Sequence, residues 1–285
     1  MKELVVISGK GGTGKTTVTA ALAGLGPPKV VADCDVDAAD LHLILQPDVQ
    51  QSHEFFSGEL ADIDPELCTS CGLCQQHCRF EAISDSFQVL PEHCEGCALC
   101  YHVCPVQAVS MKTRMCGHWY QSETRFGPMV HASLGIGEEN SGKLVTNVRH
   151  ASHELAKAKK LNFVLVDGSP GIGCPVIASL TNADVALVVA EPTVSAISDL
   201  KRVCELTGHF KIPTLILINK ADINPDCVQE ITTFAADKHF ELVGELPYDS
   251  GFTKAQLQEK TVVEYDPDGL GQRVRSVWTK IESWL

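Results

Sequence analysis

The sequence predicts a doubly wound α/β fold with a mostly parallel sheet, interrupted by a small cysteine-rich α+β insert. Three observations carry that expectation. Short apolar runs alternate with helical stretches, the first run leads straight into a glycine-rich loop, and eight of the thirteen cysteines repeat one spacing. The runs are "ELVVIS" at 3–8, "KVVAD" at 29–33, "NFVLVD" at 162–167, "DVALVVAE" at 184–191, "TLILIN" at 214–219 and "LVGELP" at 242–247. Each is short, continuous and rich in β-branched residues, the pattern of a strand buried on both faces. Alternation with helices implies parallel strands with helices on either side.

At 285 residues the chain suits one large domain plus a small insert. Its apolar content of 44% allows a sizeable core, and its formal charge of -13 argues against nucleic acid as a partner. No apolar run reaches the ~18 residues that span a bilayer, so stable membrane insertion is not expected. Met1-Lys2-Glu3 opens a strand rather than a secretory signal, which points to the cytoplasm. In that reducing setting the cysteines read as metal ligands and buried thiols, not disulfides.

The loop after the first strand is Gly9-Lys10-Gly11-Gly12-Thr13-Gly14-Lys15-Thr16-Thr17, which matches G-x-x-x-x-G-K-[ST]. Glycines let backbone N–H groups approach phosphate oxygens, Lys15 reaches the terminal phosphates, and the Thr16 hydroxyl suits Mg²⁺. "TTVTAALAGLG" continues as a helix whose N-terminus faces the phosphates. Asp167 closes its strand where a carboxylate holds the metal directly or through water. Asp33 and Asp35 close the second strand in "VADCDVDAAD", and Asp35 is placed to orient a water towards the γ-phosphate. Asp37 and Asp40 read as capping or solvated residues.

Cys68, Cys71, Cys74 and Cys78 follow C-x2-C-x2-C-x3-C, and Cys94, Cys97, Cys100 and Cys104 repeat it 26 residues later. The spacing resembles two-cluster bacterial ferredoxins, in which the fourth cysteine of each run ligates the other cluster. That implies one [4Fe–4S] cluster on Cys68, Cys71, Cys74 and Cys104, and a second on Cys94, Cys97, Cys100 and Cys78. The alternative is zinc, although structural zinc favours pairs of C-x2-C over such triplets. Arg79 stands where ferredoxins usually carry proline, while Pro105 keeps the pattern. Arg79 either raises the potential of one cluster or faces solvent.

"KGGTGKTT", "DCD" and "VDGSPG" together resemble the MinD/ParA family of deviant Walker A ATPases, which includes Mrp-type carriers and the nitrogenase iron protein. The resemblance covers roughly 1–55 and 115–285. With the insert, the whole chain is similar to MinD-superfamily ATPases containing a ferredoxin domain. It implies a P-loop ATPase domain over 1–58 and 112–285, split by a ferredoxin-like domain over 59–111. It implies ATP/ADP and Mg²⁺ as ligands, with Lys10 as the signature lysine that crosses a dimer interface to the partner's nucleotide. Lys10, Lys15, Asp35 and Asp167 are then the catalytic set. The dimer is a homodimer or a heterodimer with a related ATPase, and the clusters imply a redox partner protein.

"INKAD" at 218–222 leaves the base open. N-K-x-D selects guanine in GTPases, whereas in MinD-like ATPases the residue matching Asn219 contacts adenine, helped by a later loop such as "LPYDSG" with Pro247. The signature lysine favours ATP. "HWYQSETRFGPMVHASLG" at 118–135 reads as a hairpin around a Gly-Pro turn, and "GEENSGKLV" leads into a helix through 158. No role follows for Trp119, Arg125 or His131; His131 reads best as a hydrogen-bonded structural histidine. Leu270, Val274, Val277, Trp278, Ile281, Trp284 and Leu285 form a helical stripe expected to pack on the sheet. Cys174 lies seven residues after Asp167, where a cysteine of the nitrogenase iron protein ligates a bridging cluster. Cys116 is a candidate second ligand, and the alternative for Cys174 is a small buried residue.

The leading functional expectation is an ATPase that couples hydrolysis to electron transfer through the two clusters. The alternatives are an iron–sulfur assembly or carrier ATPase of the Mrp-like type, and an ATP-dependent positioning switch with structural clusters.

Overall fold

A computed structural model describes residues 1–135 and 142–285. The segment 137–141 of "GEENSGKLV" therefore lies outside the described residues. The chain divides into two compact units. The first holds Met1–His53, Trp119–Ser133 and 142–285; the second is built around Glu54–His118 with 134–135. The second unit takes in more chain on both sides than the expected 59–111.

The elements run β1 (Lys2–Ser8), α1 (Lys15–Ala23), β2 (Val30–Asp33), α2 (Leu41–Leu45), β3 (Asp48–Ile63), α3 (Leu73–His77) and α4 (Leu99–Val103). Then come β4 (Val109–Thr124), β5 (Gly127–Leu134), α5 (Lys143–Lys159), β6 (Phe163–Pro170), α6 (Cys174–Leu180), β7 (Val185–Ala190) and α7 (Val194–His209). The chain finishes with β8 (Thr214–Asn219), α8 (Pro225–Asp237), β9 (Glu241–Leu246), α9 (Ser250–Gln256), α10 (Val262–Tyr265) and α11 (Leu270–Glu282). All six expected strands are present. They pair in parallel in the order β2-β6-β1-β7-β8-β9, with β5 parallel on the outer side of β2. Most residues of these strands are fully buried, which is why they read as unbroken apolar runs rather than alternating ones.

Several local expectations need correcting. β4 and β5 do form a hairpin, but its turn is Arg125-Phe126, and Gly127-Pro128 begin β5. Thr124 makes that turn, its hydroxyl accepting from Phe126 N at 3.1 Å and donating to Gly127 O at 2.8 Å. On the C-terminal stripe Leu270, Val274, Val277, Trp278 and Ile281 enter the core, and Leu285 packs against it. Trp284 does not: it follows the end of α11, is exposed, and its indole N–H donates to Glu241 Oε2 at 2.7 Å. Among the described residues no helix is long and apolar enough to cross a membrane.

The topology positions the site. In parallel α/β sheets ligands bind beyond the carboxyl ends of the strands, where strand order reverses. Here β1 lies between β6 and β7, and its carboxyl end feeds the glycine-rich loop. Asp33 and Asn219 end β2 and β8 and Glu191 follows β7, whereas β6 runs on to Pro170, so Asp167 does not close its strand as expected; it is held at the same edge by its register opposite Asp33.

Candidate functional site

Gly14 precedes α1 with φ of +90°, a conformation an L side chain rarely adopts, and a Cβ there would meet Asn219 Nδ2 at 2.3 Å. The Asn219 amide is committed to the loop, donating to Thr13 O at 2.7 Å. Lys220 adds a second prop by donating to Gly12 O at 2.8 Å. Asn219 and Pro247 thus brace or flank the site rather than line its cavity, which measures about 470 Å³. That cavity is lined by Ser8, Gly11, Gly12, Thr13, Gly14, Lys15, Thr16, Thr17, Asp35 and Asp40. Leu43 and Ile44 of α2, with Thr253, Gln256 and Leu257 around α9, close its sides. Gly9 is absent from the lining, its Cα side packing against Asp199. Another cavity, about 370 Å³ between Lys2, Pro27, Phe163 and Trp278, is mostly apolar and touches none of the predicted site residues.

Lys15 is the electrostatic centre. Its Nζ lies 2.8 Å from Asp167 Oδ1 and 3.2 Å from Asp35 Oδ2, and its side chain is 5% exposed. Burial alone would lower its pKa, but Asp167 and Asp35 outweigh burial and hold the ammonium above its ordinary value. Asp167 is saturated with donors: Thr16 Oγ1 and Thr19 Oγ1 each reach it at 2.7 Å. Burial, then the Asp167 charge, pushes the Asp33 carboxyl well above the carboxylate range. Asp35 is also raised by burial, offset in part by Lys15. Asp33 Oδ2 and Thr13 Oγ1 are buried without a partner among the described residues. The unspent Thr13 hydroxyl, the loop's inward backbone and the buried ammonium suit a polyphosphate. The Thr16 hydroxyl and Asp167 carboxylate are hard oxygen donors of the kind Mg²⁺ prefers.

Lys10 is not free. Its Nζ pairs with Glu191 Oε1 at 2.6 Å and donates to Thr193 Oγ1 and Ser195 Oγ. Asp222 Oδ1 accepts from Tyr248 N at 2.6 Å, so it anchors the "LPYDSG" loop. Arg125 forms a two-point pair with Glu264 and donates to the carbonyls of Ile44, Leu45 and Glu259. It therefore ties together the two walls of the cavity, α2 and the α9–α10 segment. Trp119 stacks on His53 at 4.0 Å. His131 is buried, bonds Ser122 at 2.9 Å and stacks on Tyr120. Its burial, then His42, takes its pKa down to about 4, so it is a neutral structural histidine. Motif reading missed Glu191, Gln256 and Leu257 because their partners lie far away in sequence: Gln256 Nε2 reaches Thr17 Oγ1 at 2.7 Å across 239 positions.

In the second unit the two cysteine runs build two cavities. One is lined by Cys68, Cys71, Cys74 and Cys104; the other by Cys78, Cys94, Cys97 and Cys100. The fourth cysteine of each run thus joins the other run's triplet. The 26-residue repeat extends to the backbone: Ser70 and Gly96, Gly72 and Ala98, Glu81 and Gln107 all have positive φ at matching positions. Ala82 N donates to Cys78 Sγ at 3.4 Å and Ala108 N to Cys104 Sγ at 3.2 Å, again matched. A tetrahedral zinc, with Zn–S of about 2.3 Å, draws its sulfurs to within about 4 Å of one another. No group of three or more His, Cys, Asp or Glu among the described residues converges as a single ion requires. Arg79 is exposed. Cys174 is exposed, whereas Cys116 is buried and its thiol donates to Ser57 O at 3.0 Å, which removes it as a ready ligand.

A model of the CobQ/CobB/MinD/ParA nucleotide binding domain matches residues 4–262. An uncharacterised protein of Methanocaldococcus jannaschii is 35% identical over 99% of this chain and 97% of its own length. A second from the same organism is 24% identical over 100% of this chain and 99% of its own. Among solved structures, the Aquifex aeolicus cell-division protein MinD superposes with a TM-score of 0.59 at 18% identity, covering 99% of this chain and 98% of that one. Pyrococcus horikoshii MinD, solved with Mg-ADP, gives 0.58 at 18%, covering 98% and 95%. The sheet order, the glycine-rich loop and the family match over most of the chain lead to one assignment: this chain belongs to the CobQ/CobB/MinD/ParA nucleotide-binding family and has a MinD-like P-loop fold.

Proposed function

We propose that the protein is a Mg-ATP-dependent dimeric ATPase that couples nucleotide binding and hydrolysis to electron transfer through two [4Fe–4S] clusters. The observation that carries the redox half is the pair of cavities, each lined by four cysteines in crossed sets. In this reading Cys68, Cys71, Cys74 and Cys104 hold one cluster and Cys94, Cys97, Cys100 and Cys78 the other, within a ferredoxin-like insert spanning about 59–111. The clusters would supply one-electron storage. The nucleotide half rests on the loop, from Gly9 to Thr17, and on the buried Lys15. Thr16 and Asp167 would hold Mg²⁺, as the Mg-ADP complex of the P. horikoshii relative makes reasonable. Lys15 and a Lys10 from the second copy neutralise phosphate charge, while Asp35 orients the attacking water. Glu54–His118 carries nine carboxylates against three Lys or Arg, which suits a redox partner with a basic docking face.

Anaerobically purified protein should contain about eight iron and eight sulfide per chain, as two four-iron clusters require. EPR of the dithionite-reduced protein should change when Mg-ATP is added. Stoichiometric zinc in a colourless protein would sink the redox reading. Full clusters with spectra indifferent to Mg-ATP would leave them structural and favour a nucleotide-driven positioning switch.

Base choice has its own test. Asp222 is spent on the Tyr248 amide and anchors the "LPYDSG" loop, so Asp222→Ala should weaken ATP and GTP binding alike, leaving their ratio within about threefold of the wild type's. A guanine reader would lose a charged hydrogen bond worth about 1.5–3 kcal/mol, or tenfold and more. Competition binding that showed GTP preferred by the wild type would overturn the choice of ATP.

A further inference from the structure

Glu191 stands just past β7 and divides its carboxylate between two lysines. Oε1 lies 2.6 Å from Lys10 Nζ and Oε2 lies 3.0 Å from Lys220 Nζ. Lys10 Nζ also reaches Thr193 Oγ1 at 3.2 Å and Ser195 Oγ at 3.3 Å, at the start of α7. Thr193 is already the helix cap, accepting from Ala196 N. The lysine is thus seated in a three-acceptor cradle of its own chain. Between the two hydroxyls Val194 is 81% exposed, an apolar side chain at the rim where Lys10 sits. Against the upward push of partial burial, the two lysines hold the Glu191 carboxyl below its ordinary range.

We propose that Glu191 is a latch: it stores Lys10 in cis and releases it when a second copy of the chain presents a bound nucleotide. The inference rests on the nucleotide-bridged dimer proposed above and adds the residue that sets its threshold. Glu191 acts through Lys10 and is a positioning residue. The stored pair is partly exposed, with the Lys10 side chain 30% and that of Glu191 12% accessible, so it is weak enough to break. A polyphosphate offers Lys10 several charged acceptors in place of one. The second lysine makes the exchange possible. When Lys10 leaves, Lys220 still neutralises Glu191, and no uncompensated carboxylate is stranded at the site. Lys220 meanwhile keeps its bond to Gly12 O, so the loop is not disturbed by the departure. Glu191 therefore competes with the partner's nucleotide for one ammonium, and that competition opposes premature dimerisation.

The test is sedimentation velocity of wild type, Glu191→Gln and Glu191→Gln/Lys10→Ala with Mg²⁺ and a non-hydrolysable ATP analogue. Glutamine keeps the size and an acceptor for Lys220 but gives up the charge that holds Lys10. Glu191→Gln should dimerise at about two- to fivefold lower protein concentration than wild type, the scale of one partly exposed ion pair. The double variant should lose that gain. Identical dimerisation of Glu191→Gln and a dimerising wild type would overturn the latch, as would a gain that survives removal of Lys10. Loss of analogue affinity in the monomer without easier dimerisation would make Glu191 merely a support for Lys220, and would also overturn it. A wild type that stays monomeric with the analogue removes the dimer itself, a failure visible without any variant.

Discussion

Lys15→Met should destabilise the nucleotide-free first unit by about 3–5 kcal/mol at pH 7.5, the usual cost of removing one partner from a buried ion pair. Lys15 is enclosed with Asp35, Asp167 and Asp33, and among the described residues no other cation pairs with Asp167. Methionine fills the space but leaves the carboxylates uncompensated. They will respond by holding protons. Asp33 and Asp35 are already above the ordinary carboxylate range through burial, and losing Lys15 raises them further. From the unfolded value of about 3.9 up to the folded value, the native state keeps a proton that the unfolded chain has released. Stability from these groups is fully present below the unfolded pKa and is lost as pH rises through the folded pKa. The deficit of Lys15→Met should therefore shrink between pH 7.5 and pH 5.5. Urea unfolding followed by tryptophan emission measures it, because Trp119, Trp278 and Trp284 all belong to the first unit. Nucleotide affinity should fall by about ten- to a hundredfold, since charge-assisted hydrogen bonds to phosphate are lost. A variant as stable as wild type at pH 7.5, or a deficit independent of pH, would show that Lys15 does not neutralise the acidic cluster.

Much of this arrangement was legible in the chain because it is local. Each buried parallel strand declares itself as an apolar run, and the polar residue that closes the run falls at the site edge of the sheet, so Asp33, Asp167 and Asn219 could be placed from sequence, although β6 itself continues to Pro170. The glycine-rich loop and the cysteine runs are equally local, their chemistry set by spacing. Contacts that join distant segments were not legible. β3 reads "DVQQSHEFFSGELADI", a mostly exposed and polar stretch with no apolar period; its strand is set by pairing with β4 rather than by its own propensity. Arg125 could not be assigned because its partners are carbonyls of Ile44, Leu45 and Glu259 and the carboxylate of Glu264, which itself completes the cap of α10. From sequence Lys10 reads as reaching outward, because its resting partner, Glu191, carries no motif. In the cysteine repeat, Ser70, Ala98, Glu81 and Gln107 adopt positive φ without being glycine, so nothing in their identity announced the turn.

Stripping iron should unfold the second unit while leaving the first intact. One apolar cluster of the second unit holds Ala61, Ala82, Cys94 and Val109, with Leu60, Ile63, Val89, Met111, Cys78, Cys100 and Cys104 packed around it, and Phe55, Ile83 and Ala108 are buried besides. These few, mostly small side chains bury little area for the length of the unit, at about 25 cal/mol per Å² of apolar surface. Ordering backbone costs roughly 1–2 kcal/mol per residue, so this core cannot offset the entropy of Glu54–His118 alone. Four of its members are thiols that line the two cavities. In the proposed holoprotein those sulfurs bind iron, and ligand binding that requires the folded arrangement is folding free energy. Among the described residues every cysteine is free, so no disulfide substitutes for it. The first unit has its own core, from Leu4 and Val6 to Trp278 and Ile281, and does not depend on these ligands. Anaerobic oxidation with a chelator should therefore bleach the protein and erase amide protection across 64–109. Tryptophan emission and ATP-analogue affinity should stay within about twofold of the holoprotein. Protection in 64–109 that outlasts the iron would mean the packing of Ala61, Ala82 and Val109 suffices, and the clusters would then be passengers in the fold rather than its missing core.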